Sequence, residues 1–335
     1  MKRTVLVTGG AGYIGSHTVL EFLANGYEPV VLDNFSTGRR SNLPSGTPIY
    51  EGDVNDAGLV RSILDRHEIA DVTHFAGSII VPESIENPLA YYHNNTANAL
   101  ALIEQCVASG VRRFVFSSTA AVYGAPDVSG PVSEQMAPQP ISPYGASKLM
   151  VERILTDACI AHPGFSAVWL RYFNVAGADP AGRSGQTGGA STHLIRSAVE
   201  AALGVRPNLT IFGDDYATRD GTCERDFIHV SDLASLHLKA LGYLERGGAP
   251  RALNCGYGRG VTVLEIIAAL ESLLGRPLPV QRGPRRPGDP PSLVADVSAL
   301  HAQFDWTPRH DNLSTILKTA MDWQQSLLSS QGGIA

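Results

Sequence analysis

Through the first half of the chain, short apolar runs alternate with segments whose hydrophobic positions recur at helical spacing. Runs rich in β-branched and aromatic residues at Thr4–Thr8, Pro29–Asp33, Ile49–Gly52, Val72–Phe75, Arg113–Ser118 and Ala167–Arg171 predict strands buried on both faces. Between them, Ile14–Asn25, Asp56–His67, Leu89–Ser109 and Pro143–His162 read as helices. Ser142 before Pro143 has the form of a helix cap followed by a first-turn proline. Such alternation predicts an α/β fold with a doubly wound parallel (Rossmann) sheet.

Beyond Arg171 the regularity decays. Asn174–Gly189 reads as a long loop, His193–Leu203 as a helix and Pro207–Gly213 as a short strand. A helix is expected within Asp226–Leu244 and another over Val263–Leu274, with a loop at Arg282–Pro291 and a frayed tail at Ser326–Ala335. The expected division is a dinucleotide-binding domain at residues 1–173, to which a segment about 226–254 returns, and a smaller α/β substrate domain at 174–325.

The 44% hydrophobic and 17% charged residues describe an ordinary globular protein, and a length of 335 leaves room for two cores. A net charge of −6 argues against nucleic acid or an anionic membrane as the main partner. Cys106, Cys159, Cys223 and Cys255 are scattered, without CxxC pairs or metal-like spacing to histidine. They read as free thiols in a reducing cytoplasm, with no metal site. The N-terminus already reads as a core strand, and no run of about eighteen apolar residues offers a membrane span.

Two motifs carry chemistry. Gly9, Gly12 and Gly15 lie between the first strand and the first helix. Glycines there permit positive φ and close approach to a pyrophosphate, and free N–H groups near Tyr13 and Ile14 favour that anion. Asp33 closes the second strand, where a carboxylate accepts from ribose hydroxyls and repels a 2′-phosphate. NAD is therefore expected over NADP, although Arg39 and Arg40 follow closely. Tyr144 and Lys148 stand four residues apart, on one helix face. Tyrosine ordinarily titrates near about 10. The Lys148 ammonium and a cationic nicotinamide are expected to lower that value, so Tyr144 could take a proton from an alcohol while hydride leaves the same carbon.

The three-residue glycine spacing, Leu32-Asp33-Asn34, Phe116-Ser117-Ser118-Thr119 and Tyr144-Gly145-Ala146-Ser147-Lys148 resemble the extended short-chain dehydrogenase/reductase family. Arg225-Asp226-Phe227-Ile228-His229 and Arg286-Pro287-Gly288-Asp289 extend the likeness to its UDP-sugar 4-epimerases, up to about Trp323. For a tightly held NAD, the resemblance implies contacts from Asn34, Asp53, Val54, Phe75, Ala76, Gly77, Asn94, Ser117 and Tyr172. It implies Thr119 as partner of Tyr144 and Lys148, and UDP-galactose/UDP-glucose interconversion through a rotating 4-keto sugar. Arg225, Arg286 and Asp289 match the family's uridine-diphosphate and ribose contacts, Phe212 a uracil-pocket position, and Asn174, His193 and Leu194 further substrate contacts. The resemblance also places Leu293 near the family's gate position for hexose size, and Ile79 where some members carry lysine. Rival readings are a 4-epimerase of UDP-xylose/arabinose, a UDP-uronate or a UDP-N-acetylhexosamine, a nucleotide-sugar oxidoreductase, and an NAD-sensing binding protein. The resemblance also implies a homodimer through Leu89–Ser109 and Pro143–His162.

Overall fold

The computed structural model describes residues 3–126, 130–188, 193–286 and 288–332. The first half runs β1 (Arg3–Thr8), α1 (Tyr13–Ala24), β2 (Tyr27–Asp33), β3 (Ile49–Glu51), α2 (Ala57–Arg66) and β4 (Asp71–His74). It continues through α3 (Val81–Glu86), α4 (Pro88–Tyr91), α5 (Asn98–Ala108), β5 (Arg113–Thr119), α6 (Pro143–Ala161) and β6 (Ser166–Tyr172). Then come β7 (Asn174–Ala176), α7 (Leu194–Ala202), β8 (Leu209–Phe212), β9 (Glu224–His229), α8 (Val230–Glu245) and β10 (Arg251–Cys255). The chain closes with β11 (Gly260–Thr262), α9 (Val263–Leu274), β12 (Val280–Gly283), β13 (Ser292–Leu293), α10 (Ser298–Gln303) and α11 (Leu313–Gly332).

Seven parallel strands form the main sheet in the order β10-β6-β5-β4-β1-β2-β3. Alternate residues of one strand serve opposite faces. Val5 and Val7 pack beneath the core built with Leu233 and Leu236 of α8, whereas Leu6 faces Val60 of α2 and Leu155 of α6. Each such side chain contributes roughly 1.5–3 kcal/mol of transfer free energy. Strand order reverses between β1 and β4, the point where sheets of this kind open a crevice. Above it, β9 pairs antiparallel with β11 and parallel with β7 and β13, while β8 and β12 form a separate pair. α7, α9 and α11 pack a third core behind β8.

Three local expectations are corrected. The predicted loop at Asn174–Gly189 opens with β7, whose Asn174, Val175 and Ala176 pair with β9. The helix expected within Asp226–Leu244 is found as α8, which starts at Val230 directly after β9. The helix expected over Leu89–Ser109 is interrupted by a π-helical stretch, Tyr92–Ala97. There Asn94 donates to the Ser78 hydroxyl at 2.9 Å and Asn95 accepts the Ser78 N–H at 2.7 Å. Finally, α11 continues to Gly332 where composition predicts fraying from Ser326, because no glycine or proline interrupts the helix before its last residue. Ser329 and Ser330 bond back to the carbonyls of Gln325 and Ser326.

Candidate active site

Every candidate catalytic, cofactor and substrate residue except Lys148 lines one cleft of about 1380 Å³, and Lys148 lies buried behind its wall. At one end is the glycine turn. Gly9 has φ +69°, and a Cβ at Gly15 would sit 2.3 Å from the Gly9 carbonyl oxygen, so neither position admits a side chain without a backbone shift. α1 starts at Tyr13 with no acidic residue in its first turn, leaving its positive end for an anion. Asp33 holds the turn by accepting from Ala11 N–H at 2.9 Å and Phe35 N–H at 2.8 Å, one bond to each oxygen. Each oxygen keeps a lone pair for a hydroxyl. Asp53 accepts from Asn34 at 3.0 Å, beside Val54 in the same wall. Arg40 is committed elsewhere, paired with Glu51 and lying 4.4 Å over the Phe35 ring.

The middle of the cleft is the carboxyl end of β5. Ser142 caps α6 by accepting the Gly145 N–H, and Pro143 sits in the first turn, as expected. Tyr144 and Thr119 line the same stretch of wall, and Lys148 Nζ donates to the Ser117 carbonyl at 3.0 Å. Burial lowers Lys148 to about 8, because the charged ammonium loses water. The lowered Tyr144 value expected from the sequence is not found in the protein alone. Burial raises it, and the Thr119 hydroxyl opposes that rise. Tyr144 also meets Tyr91 edge-on at 6.5 Å. Phe75, Ala76, Gly77 and Asn94 continue the wall, with Phe75 packed 4.7 Å from His237. The Tyr172 hydroxyl bonds His237.

A buried ammonium held only by the Ser117 carbonyl and the Phe116 ring, 4.9 Å away, a glycine turn at a helix N-terminus and a carboxylate with free lone pairs together fit a dinucleotide. Among the described residues Lys148 has one acceptor for its three protons, so the wall it faces is incomplete without a ligand.

At the far end, Arg225 on β9 reaches Asp289 at 3.1 Å, and the Arg286 guanidinium lies 3.9 Å over Phe212 of β8. Leu293 stands opposite Arg225 in the β13–β9 register. Asn174, His193 and Leu194 line the same end. Ile79, with 52% of its surface exposed, gives the rim an apolar residue. The sequence reading missed α11, whose Trp323 and Gln324 also reach the cleft. The Trp323 indole N–H donates to the Gln186 carbonyl at 3.1 Å, and its ring occupies the space a Cβ at Gly185 would need. A lone tryptophan on the last amphipathic helix was the available signal.

Residues 5–256 match the model of the NAD dependent epimerase/dehydratase family. The UDP-glucose 4-epimerase of Azospirillum brasilense is 53% identical over 328 residues, 98% of this chain and 94% of that protein. A crystal structure of UDP-glucose 4-epimerase from Brucella ovis in complex with NAD superposes with TM-score 0.92 at 42% identity, covering 96% of this chain and 98% of the other. The Bifidobacterium longum UDP-glucose 4-epimerase with NAD+ and UDP gives 0.90 at 36% identity, covering 96% and 98%. With the motifs, the sheet and the cleft in agreement, this chain belongs to the NAD dependent epimerase/dehydratase family.

Proposed function

We propose that this chain is an NAD-dependent isomerase that interconverts UDP-galactose and UDP-glucose, with NAD retained through each cycle. The observation that carries the reading is one continuous cleft joining the glycine turn, the Thr119–Tyr144 pair and the Arg225–Asp289–Arg286 cluster. When bound, NAD supplies the hydride acceptor and donor at C4 of the hexose. Tyr144 takes the proton from O4 and returns it, and Thr119 bonds that oxygen. Lys148 supplies positive charge behind the wall. Arg225 and Arg286 hold the diphosphate by charge-assisted bonds, Asp289 accepts from the ribose, and Phe212 packs on uracil. Asn174, His193 and Leu194 add contacts along the nucleotide sugar, while Leu293 limits hexose size. Anchoring at the far end leaves the 4-keto sugar free to turn its other face to the hydride. Relatives named UDP-glucose 4-epimerase favour this substrate over the other UDP sugars.

The test is incubation with UDP-galactose and no added dinucleotide. Appearance of UDP-glucose supports the reading, and NAD-loaded protein without turnover sinks it. On this reading NAD rests on residues 1–173 with the returning segment about 226–254, and the UDP sugar on 174–325. We also infer a cytoplasmic homodimer, supported by apolar side chains exposed on α4, α5 and α6. Leu89 is 79% and Ile160 76% exposed, and Leu100 and Met150, between them in sequence, are 41% and 46% exposed. Light scattering should give a dimer that Leu89→Glu with Ile160→Glu converts to monomer. A monomeric parent protein would refute it.

A further inference from the structure

Tyr144, Lys148 and Glu152 follow one another at four-residue spacing on α6, so all three project from one face. Each lies against one of the last three residues of β5. Tyr144 meets Thr119, Lys148 meets the Ser117 carbonyl, and Glu152 accepts from the Ser118 hydroxyl. The third rung continues inward. Both oxygens of Glu152 take the Arg171 guanidinium of β6, at 3.0 Å and 2.6 Å. Arg171 donates a further bond to the Tyr123 hydroxyl at 2.8 Å, and Tyr123 donates to Asn254 of β10 at 2.7 Å. Ser118, Tyr123, Glu152, Arg171 and Asn254 are each 5% exposed or less. Glu152, Arg171 and Tyr123 do not line the cleft, and the proposed chemistry leaves them without a role.

Two buried charges cost desolvation that hydrophobic residues of similar size would avoid, so a stability role alone does not account for them. A bidentate pair has a different property, because it fixes distance and orientation together. We infer that the Glu152–Arg171 pair is a positioning device. It sets the height and rotation of α6 against β5 so that the Tyr144 hydroxyl meets Thr119 at the reacting oxygen. Ser118 is the rung through which it acts. Arg171 lies opposite Ser118, and Tyr172 opposite Thr119, in the β5–β6 register, so the lock is built on the strand ends that carry the site.

The inference rests on the Tyr144–Thr119 reading of the reaction. Its test compares Glu152→Gln and Ser118→Ala with the parent enzyme on UDP-galactose, following kcat, KM, dinucleotide content and the pH profile of kcat. Misplacement of a reacting group by about an ångström can cost about a hundredfold in rate. Glu152→Gln should lower kcat about tenfold or more, and Ser118→Ala by a smaller factor, with KM and bound dinucleotide unchanged within about twofold. Moving Thr119 away from the phenol removes what favours the phenolate, so the acid limb of the profile should move to higher pH. A folded variant of either kind with parental kcat and pH profile, differing only in melting temperature, would overturn the inference. If Glu152→Gln does not fold, Ser118→Ala decides alone by the same readouts. An inactive parent enzyme would instead overturn the functional reading, so the two failures are distinct.

Discussion

Lys148 is a cation kept out of water for the sake of what binds beside it. Only 3% of its surface is exposed, its one acceptor among the described residues is a backbone carbonyl, the Phe116 ring lies 4.9 Å away, and burial lowers it to about 8. An ammonium depressed in the fold but not in the unfolded chain costs stability, in full below that value. Between about 8 and the ordinary lysine range near about 10.4, the unfolded state binds more protons, so stability rises with pH there. Lys148→Met should therefore stabilise protein freed of dinucleotide, by about 2 kcal/mol at neutral pH. The loss of Ser117's donor offsets part of the gain. Thermal melts should show the gap between variant and parent closing above pH 8, while turnover is abolished at every pH. A variant less stable than the parent at pH 7 would show that the ammonium is compensated. Tyr144 makes the complementary case, since burial leaves its phenol neutral in the protein alone. Tyr144→Phe should lose roughly 10²–10⁴ in kcat and keep its dinucleotide, as read by absorbance of the denatured supernatant.

At the scale of elements, local chemistry decided what could be read. The glycine turn and the α6 motif declared themselves because their functional residues lie within one turn of each other. Gly15→Ala tests the first of these. Its Cβ would meet the Gly9 carbonyl oxygen at 2.3 Å, with no flexible side chain to yield. The expected result is destabilisation by about 1–3 kcal/mol, together with loss of bound dinucleotide. Full NAD content with a parental melting curve would refute that account. Two of the strands that escaped sequence reading carry buried polar residues. In β9, Asp226 and His229 are wholly buried where a core strand should read apolar. Asp226 is satisfied by the N–H groups of Tyr257, Gly258 and Ala295, which nothing in its own neighbourhood announces. In β10, Asn254 interrupts the apolar pattern because it serves Tyr123 and the Val132 carbonyl. The Glu152–Arg171 pair was illegible for the same reason, since its partners come from separate elements.

At the scale of the whole molecule, those illegible strands decide whether the dinucleotide-binding part can stand alone. The chain leaves the main sheet after β6, builds β7 to β9 above the cleft, and returns as α8 and β10. α8 lays Leu233, Leu236, Ala240 and Leu241 on the face formed by Val115, Val168 and Leu170, and β10 covers the edge of β6. A fragment ending at Phe173 would expose that face and leave β6 with unpaired backbone groups, an invitation to aggregate. It should not fold or bind NAD. The geometry also names the remedy. Ala176 and His229 are paired neighbours in β7 and β9, so a short glycine linker can join Ala176 directly to Val230. Residues 3–176 so joined to 230–256 regain α8, β10 and all seven strands. That protein should be soluble, show a cooperative melt and bind NAD by calorimetry, yet fail to turn over UDP-galactose because Arg225, Arg286 and Asp289 are gone. Folding of the fragment ending at Phe173 would show that α8 and β10 are dispensable. Failure of the linked one would place the missing stability in the removed residues 177–229, which hold α7, β8 and β9, or in the elements that follow β10.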